Sequence, residues 1–125
     1  VHPYAATPAG VGAAVAGTRA LLDRLGDGGR PIWATELGWA DAGPASPFTV
    51  GRARQAGHIA DALRRLAAAR SRLKLRGVVY YDWRDVRPNA SHSDFFGLHT
   101  GLLTVRGARK PAYHSFATAA RALHR

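Results

Sequence analysis

PIWATELGWA, residues 31–40, is the stretch on which the fold turns. Ile32 to Leu37 is an apolar run too short for a helix and bounded by Pro31 and Gly38. It reads as a strand buried on both faces, the kind found in parallel sheets. A loop of small residues follows, ADAGPASP (40–47), and then a long helix from about Thr49 to Ser71. Val50, Ala53, Ile59, Leu63, Leu66 and Leu73 fall near the inner face of that helix. Within the strand lies Glu36, the only glutamate of the chain. A carboxylate at a buried strand end, between Thr35 and Leu37, is costly unless it is paired or used.

The same strand-then-helix unit recurs on either side. Upstream, VHPYA (1–5) reads as the tail of a strand, and Thr7-Pro8 as a helix start with a hydroxyl cap and a proline at the first helical position. Val11, Val15, Thr18, Leu21, Leu22 and Leu25 form an apolar stripe, which the glycines of GDGG (26–29) bring to a stop. Downstream, LRGVVYYDW (75–83) is rich in strand formers. RDVRPNASHSDFFGLHTG (84–101) is a long irregular segment, and LLTVRGARKPAYHSF (102–116) reads as a small turn feeding a last helix, Ala112 to Leu123, with Pro111 at its start. Strands of the buried type alternating with helices predict an α/β protein with a parallel sheet. Three units of about 40 residues match the pitch of a (β/α)₈ barrel, which needs roughly 250 residues. The expectation is one partial barrel domain over residues 1–125, its strands and helices the sixth to the eighth, with parallel strands inside and helices outside.

Composition narrows the function. The chain of 125 residues carries a formal charge of +10 and no cysteine, which excludes disulfides and thiolate chemistry. All its basic residues except Lys74 and Lys110 are arginines, and six of them (Arg52, Arg54, Arg64, Arg65, Arg70, Arg72) fall in one helical segment. That is the pattern of a solvated outer helix face, so no nucleic-acid partner is expected. No run of about 18 apolar residues is present, so no membrane span is expected. The opening, VHPYA without an initiator methionine, reads as the inside of a longer polypeptide. His92, Asp94 and His99 fit no compact ligand spacing, so neither a metal nor a cofactor is expected.

In barrels of this kind chemistry gathers at the carboxyl ends of the strands. The first end supplies His2, Pro3 and Tyr4; the second Glu36 and Trp39; the third Asp82, Trp83, Arg84 and Asp85. Adjacent strands lie about 4.8 Å apart, so these groups can converge. Glu36 is the expected catalytic carboxylate, able to attack an anomeric carbon or stabilise an oxocarbenium ion. Tyr4 can donate a hydrogen bond that holds it ionised. His2, Tyr4, Trp39, Trp83 and Asp82 are the expected sugar-binding groups, since indole faces stack on sugar C–H faces and carboxylates accept from hydroxyls. Trp33, mid-strand, is expected in the core or against a helix, and Asp82 and Asp85 are expected to orient Arg84.

Taken together, VHPYA, PIWATELGWA, GVVYYDWRD and FGLHTGLLTVRGARKPAYHSF resemble the last three units of clan A retaining glycoside hydrolases. The similarity is to the family 39 and family 5 type, bacterial cellulase-like or xylosidase-like proteins. It covers nearly the whole chain, and it rests on the order and spacing of the motifs more than on any one of them. The resemblance implies that TELGW carries the nucleophile, Glu36. It implies that HPY ends the sixth strand and supplies an aromatic partner, and that YYDWRD ends the eighth, with Trp83 flooring the reacting sugar's subsite. The chain departs from the pattern in lacking the second glutamate, after an Asn, that serves as acid/base. That group, and the N-terminal part of the barrel, are therefore expected upstream. A glycoside or polysaccharide substrate is implied, retention of configuration is expected, and the isolated chain should be inactive or nearly so. A non-catalytic carbohydrate-binding or interaction protein is the alternative. The place of action is not encoded, although a polysaccharide-degrading parent would be compatible with secretion. Three strands cut from a barrel leave two bare edges, so the isolated chain is expected to associate or to order poorly.

Overall fold

The computed structural model describes residues 1–89 and 93–123, with helices and strands in alternation. Helix α1 (Pro8–Arg24) leads to strand β1 (Ile32–Leu37). Helix α2 (Arg52–Ala68) and a short turn of helix, α3 (Arg70–Leu73), lead to strand β2 (Leu75–Tyr80). A 3₁₀ turn (Phe96–His99) and helix α4 (Pro111–Leu123) complete the order. The Thr7 hydroxyl caps α1 by accepting from the Gly10 N–H at 3.1 Å, with Pro8 at the first helical position. The long helix foreseen from Thr49 to Ser71 is shorter and breaks at Ala69 into α2 and α3.

β1 and β2 pair in parallel, Ile32 opposite Leu75 and Leu37 opposite Tyr80. The third strand foreseen at VHPYA is only a stub. The Val1 amino group donates to the Trp33 carbonyl at 2.7 Å, and the Thr35 N–H donates to the Val1 carbonyl at 2.8 Å. From His2 onward the backbone turns away, with the Tyr4 N–H bonding to the His2 carbonyl at 2.9 Å. The sheet therefore has two strands among the described residues, where three were expected.

All helices pack on one face of this sheet. Val11 and Val15 of α1, Ile59, Ala62, Leu63 and Leu66 of α2, and Ala112 of α4 close over Ile32, Ala34, Leu37, Leu75 and Tyr80. The other face is bare: Trp33 is 50% exposed and Val79 48%. The expectation of a strand buried on both faces, with Trp33 in the core, is corrected here. β1 alternates, because helices cover one side only and nothing among the described residues covers the other. The Trp33 ring lies across Gly77, where a Cβ would come within 2.3 Å of it. On α1 the stripe departs from expectation as well. Leu21 and Leu25 are exposed, and Arg19 takes the buried position, donating to Asp23 and to the carbonyls of Arg30 and Asp27. Ala53 is likewise exposed, with Gln55 and Ala56 buried in its stead.

Beyond the strand ends a polar layer ties the loops down. The Lys110 ammonium, wholly buried, lies 2.8 Å from an Asp41 oxygen and 2.6 Å from one of Asp85. Gln55 donates to the carbonyls of Trp39 at 2.9 Å and Thr100 at 3.1 Å. These bonds join the β1–α2 loop, the β2–α4 segment and α2 around one buried cation.

Candidate active site

Glu36 sits one residue before the end of β1, where the register with β2 slips between Ala34 and Leu37. That irregularity interrupts the strict alternation and leaves its side chain 35% exposed. The Tyr4 hydroxyl donates to Glu36 Oε2 at 3.1 Å, and His2 Nδ1 lies 3.4 Å from the same oxygen. Both contacts fall on Oε2, so Oε1 is the oxygen left for a reaction partner.

Tyr4 is held above its ordinary value of 10.0, first by burial, then by its hydrogen bond to Glu36 and by that carboxylate's charge. The phenol therefore keeps its proton and stays a donor. Its ring meets Phe48 and Phe96 edge-on, each at 6.0 Å between centroids, and those two rings stand 4.7 Å apart. Tyr4 is thus fixed by a small aromatic box built from three separate segments.

Trp39 is not among the groups facing a ligand. It is fully buried, and its indole N–H donates to the Ala5 carbonyl at 2.9 Å. Burial leaves no face for a sugar, so the expectation of Trp39 as a sugar platform is corrected. Its bond instead pins the segment that carries His2 and Tyr4. Trp83 is 59% exposed and has a face to offer. Asp82 accepts from the Trp83 N–H, and its charge reaches both Tyr4 and Tyr81. Asp85 pairs with Lys110 rather than orienting Arg84, because the buried ammonium outcompetes a solvated guanidinium. His99 bonds Asp94 at 2.6 Å; His92 lies outside the described residues. Among the described residues no three His, Asp or Glu side chains gather as a metal would need.

Three residues near Glu36 escaped sequence reasoning: Phe48, Phe96 and Tyr81. Strand parity was the available signal for Tyr81. Tyr80 faces the helices, so its neighbour turns the other way, and the Tyr81 phenol is raised by burial and then by the Asp82 and Glu36 charges. Its backbone N–H donates to the Leu37 carbonyl at 2.9 Å. Gly38 allows this approach, since a Cβ there would stand 2.0 Å from the Tyr81 carbonyl oxygen. Phe48 and Phe96 gave no periodic signal, being aromatics in irregular segments.

No protein-family model matches the chain, and no curated protein resembles it significantly in sequence. Solved structures do resemble it in fold. A GH2 β-galacturonidase from Eisenbergiella tayi, bound to galacturonate, superposes with a TM-score of 0.70 at 22% identity, over 95% of this chain and 22% of its own. A GH5_18 protein from Bifidobacterium longum gives 0.65 at 23% identity, over 90% and 25%. A GH5_18 protein from Streptomyces cattleya, in complex with GlcNAc, gives 0.63 at 21% identity, over 90% and 26%. The chain thus spans about a quarter of the length of these structures and has the fold of that part of a glycoside hydrolase.

Proposed function

We propose that this chain is the C-terminal part, the sixth to eighth β/α units, of a retaining glycoside hydrolase barrel, and that Glu36 is its nucleophile. The observation that carries the proposal is the Glu36 carboxylate at a strand's carboxyl end, engaged on one oxygen by Tyr4 and His2. The likeness to sugar-bound glycoside hydrolases supports a sugar substrate. It favours the family 5 side of the sequence resemblance and adds family 2.

In this reading Oε1 attacks the anomeric carbon while the bond to the leaving oxygen breaks. A proton reaches that oxygen from an acid on the remaining part of the barrel. The ester so formed is opened by water, whose proton returns to the same acid/base group, and the sugar leaves with retained configuration. Tyr4 and His2 hold Oε2 so that Oε1 meets the carbon in a fixed line. Trp83 and Asp82 bind the sugar beside it. The acid/base must stand about 5–5.5 Å from Glu36. The other carboxylates of this chain are engaged: Asp41 and Asp85 by Lys110, Asp94 by His99, Asp61 by Arg64 and Arg65, Asp23 by Arg19, and Asp27 by Arg30. Asp82 is turned to its own strand-end turn. The bare sheet face around Trp33 and Val79 is where the remaining units would close the barrel.

The test is made on the longer polypeptide. A 2-deoxy-2-fluoroglycosyl fluoride should label the peptide containing Glu36, and Glu36→Gln should lower turnover by several orders of magnitude while the fold survives. Near-normal turnover in that variant would overturn the assignment. The lack of a second glutamate favours one other reading, a sugar-binding protein without turnover. Sugar binding by the longer polypeptide, with no labelling of Glu36, would select it.

A further inference from the structure

Trp83 stands exposed, yet it is not isolated. Its ring meets Tyr113 edge-on at 6.1 Å between centroids, and the Arg109 guanidinium lies 4.7 Å above the centre of that same Tyr113 ring. The backbone beneath is fixed. The Leu103 N–H donates to the Trp83 carbonyl at 3.0 Å, and Leu103 bridges Arg84 on one side and Arg109 on the other. The next residue, Lys110, is locked in its buried ion pairs.

These contacts leave an uneven charge at the surface. Asp41 and Asp85 are neutralised by Lys110 together with Arg52, and Asp82 is turned to the Trp83 N–H. Arg109 and Arg84 are both exposed. An exposed indole and a guanidinium therefore meet the same Tyr113 ring. Stacking on Tyr113 limits the rotamers of Arg109, so less freedom is lost when it meets an anion. The indole face suits a sugar's C–H face, and the planar fork of Arg109 suits a carboxylate or sulfate oxygen pair.

We propose that Trp83, Tyr113 and Arg109 form a subsite for a sugar ring that carries an anionic group. Its position beside the reacting centre rests on the glycosidase reading, Asp82 being the link between Trp83 and the Glu36 cluster. The anion preference itself rests on the three side chains alone.

Equilibrium dialysis of the whole chain at physiological salt tests the subsite, and self-association does not spoil the measurement. The probes are a galacturonic acid trisaccharide, the corresponding neutral galactose trisaccharide and its sulfated form. An anionic probe should be held at least about threefold more tightly than the neutral one, the scale of an exposed charge pair. Arg109→Gln should abolish that preference. Trp83→Ala should weaken all three probes. Arg106→Gln, an equal loss of charge on the adjoining turn, should leave the preference intact. Circular dichroism confirms that each variant folds as the parent does. Whichever anionic probe is held more tightly identifies the group as carboxylate or sulfate. Equal retention of acidic and neutral probes, or an Arg106→Gln effect matching that of Arg109→Gln, would overturn the subsite. Either outcome would leave the nucleophile standing, since labelling of Glu36 is read separately.

Discussion

Replacing Lys110 with methionine keeps most of the length of the side chain and removes its charge. The ammonium lies 2.8 Å from Asp41 and 2.6 Å from Asp85, with the three side chains 0%, 4% and 10% exposed. Water cannot screen what is left behind. Removing one partner of such a buried set costs about 3–5 kcal/mol, chiefly because carboxylates stay buried without compensation. Arg52 remains on Asp41 at 3.2 Å and relieves one of them, so the lower end of the range is expected. A chain of this size has on the order of 6–19 kcal/mol in all, so the loss is a large fraction of it. Urea unfolding followed by circular dichroism should show a midpoint lowered by about 1–2 M at unchanged slope.

The pH dependence gives the sign. Asp85 is already raised from its ordinary value by burial, with Lys110 the largest influence pulling it back. Without Lys110 its folded value rises further, so the folded state binds the proton more tightly than the unfolded one. The stability linked to that proton is complete below the ordinary carboxylate value and is lost as pH rises through the folded value. The deficit of Lys110→Met should therefore be largest near neutrality and shrink toward about pH 4. Adding Asp85→Asn should recover part of the loss. A cost below about 1 kcal/mol, or a deficit equal at both pH values, would refute the reasoning.

Gly38→Ala should destabilise by about 3 kcal/mol or more, read as a lowered melting temperature, because its Cβ would stand 2.0 Å from a backbone oxygen that cannot move aside cheaply. On the bare sheet face, Val79→Lys should lessen self-association in sedimentation velocity, where the parent chain is expected to sediment as oligomers. At alkaline pH, Tyr4, Tyr80 and Tyr81, all raised above 10.0, should ionise late in an absorbance titration. The stability they contribute is complete below the unfolded value and lost as pH climbs through the folded ones, so the chain should unfold in strong alkali, and Glu36→Gln should let Tyr4 and, to a smaller extent, Tyr81 ionise earlier.

Ile32–Leu37 and the Thr7-Pro8 helix start were legible because local chemistry decides them: an apolar run between breakers, and a hydroxyl followed by proline. The meeting of Tyr4 with Glu36 was legible from the order of the segments, since it needs only that residues 1–5 lie beside the end of β1. Trp39 was not, because an indole two residues past a strand can turn to either side, and the Ala5 carbonyl that captures it belongs to a segment 34 residues away. Lys110 was equally hidden. Its partners come from residues 41 and 85, and neither periodicity nor spacing records such a convergence. Trp33 and the bare face misled for a different reason: the sequence pattern of a two-sided strand describes the surroundings it is suited to, and helices cover only one side of it here.

That contrast bears on how the chain would work. On its helical side Lys110, Gln55 and Trp39 at the strand ends are each bonded to distant segments. The orientation of Glu36 is set within this chain, because both groups that hold Oε2 come from residues 2 and 4, pinned through Trp39. On the opposite side the sheet offers Trp33 and Val79 to whatever completes it. Under the proposed reading the two requirements of the reaction are therefore separable. The nucleophile is aligned by this chain's own contacts, while the second carboxyl group arrives with the units that cover the bare face. A longer polypeptide with Trp39→Phe should then show the division. Losing the 2.9 Å bond to Ala5 loosens Tyr4 and His2, so formation of the glycosyl ester should slow, while the acid/base limb of the pH profile stays in place. A shifted acid limb with unchanged ester formation would place the alignment of Glu36 elsewhere.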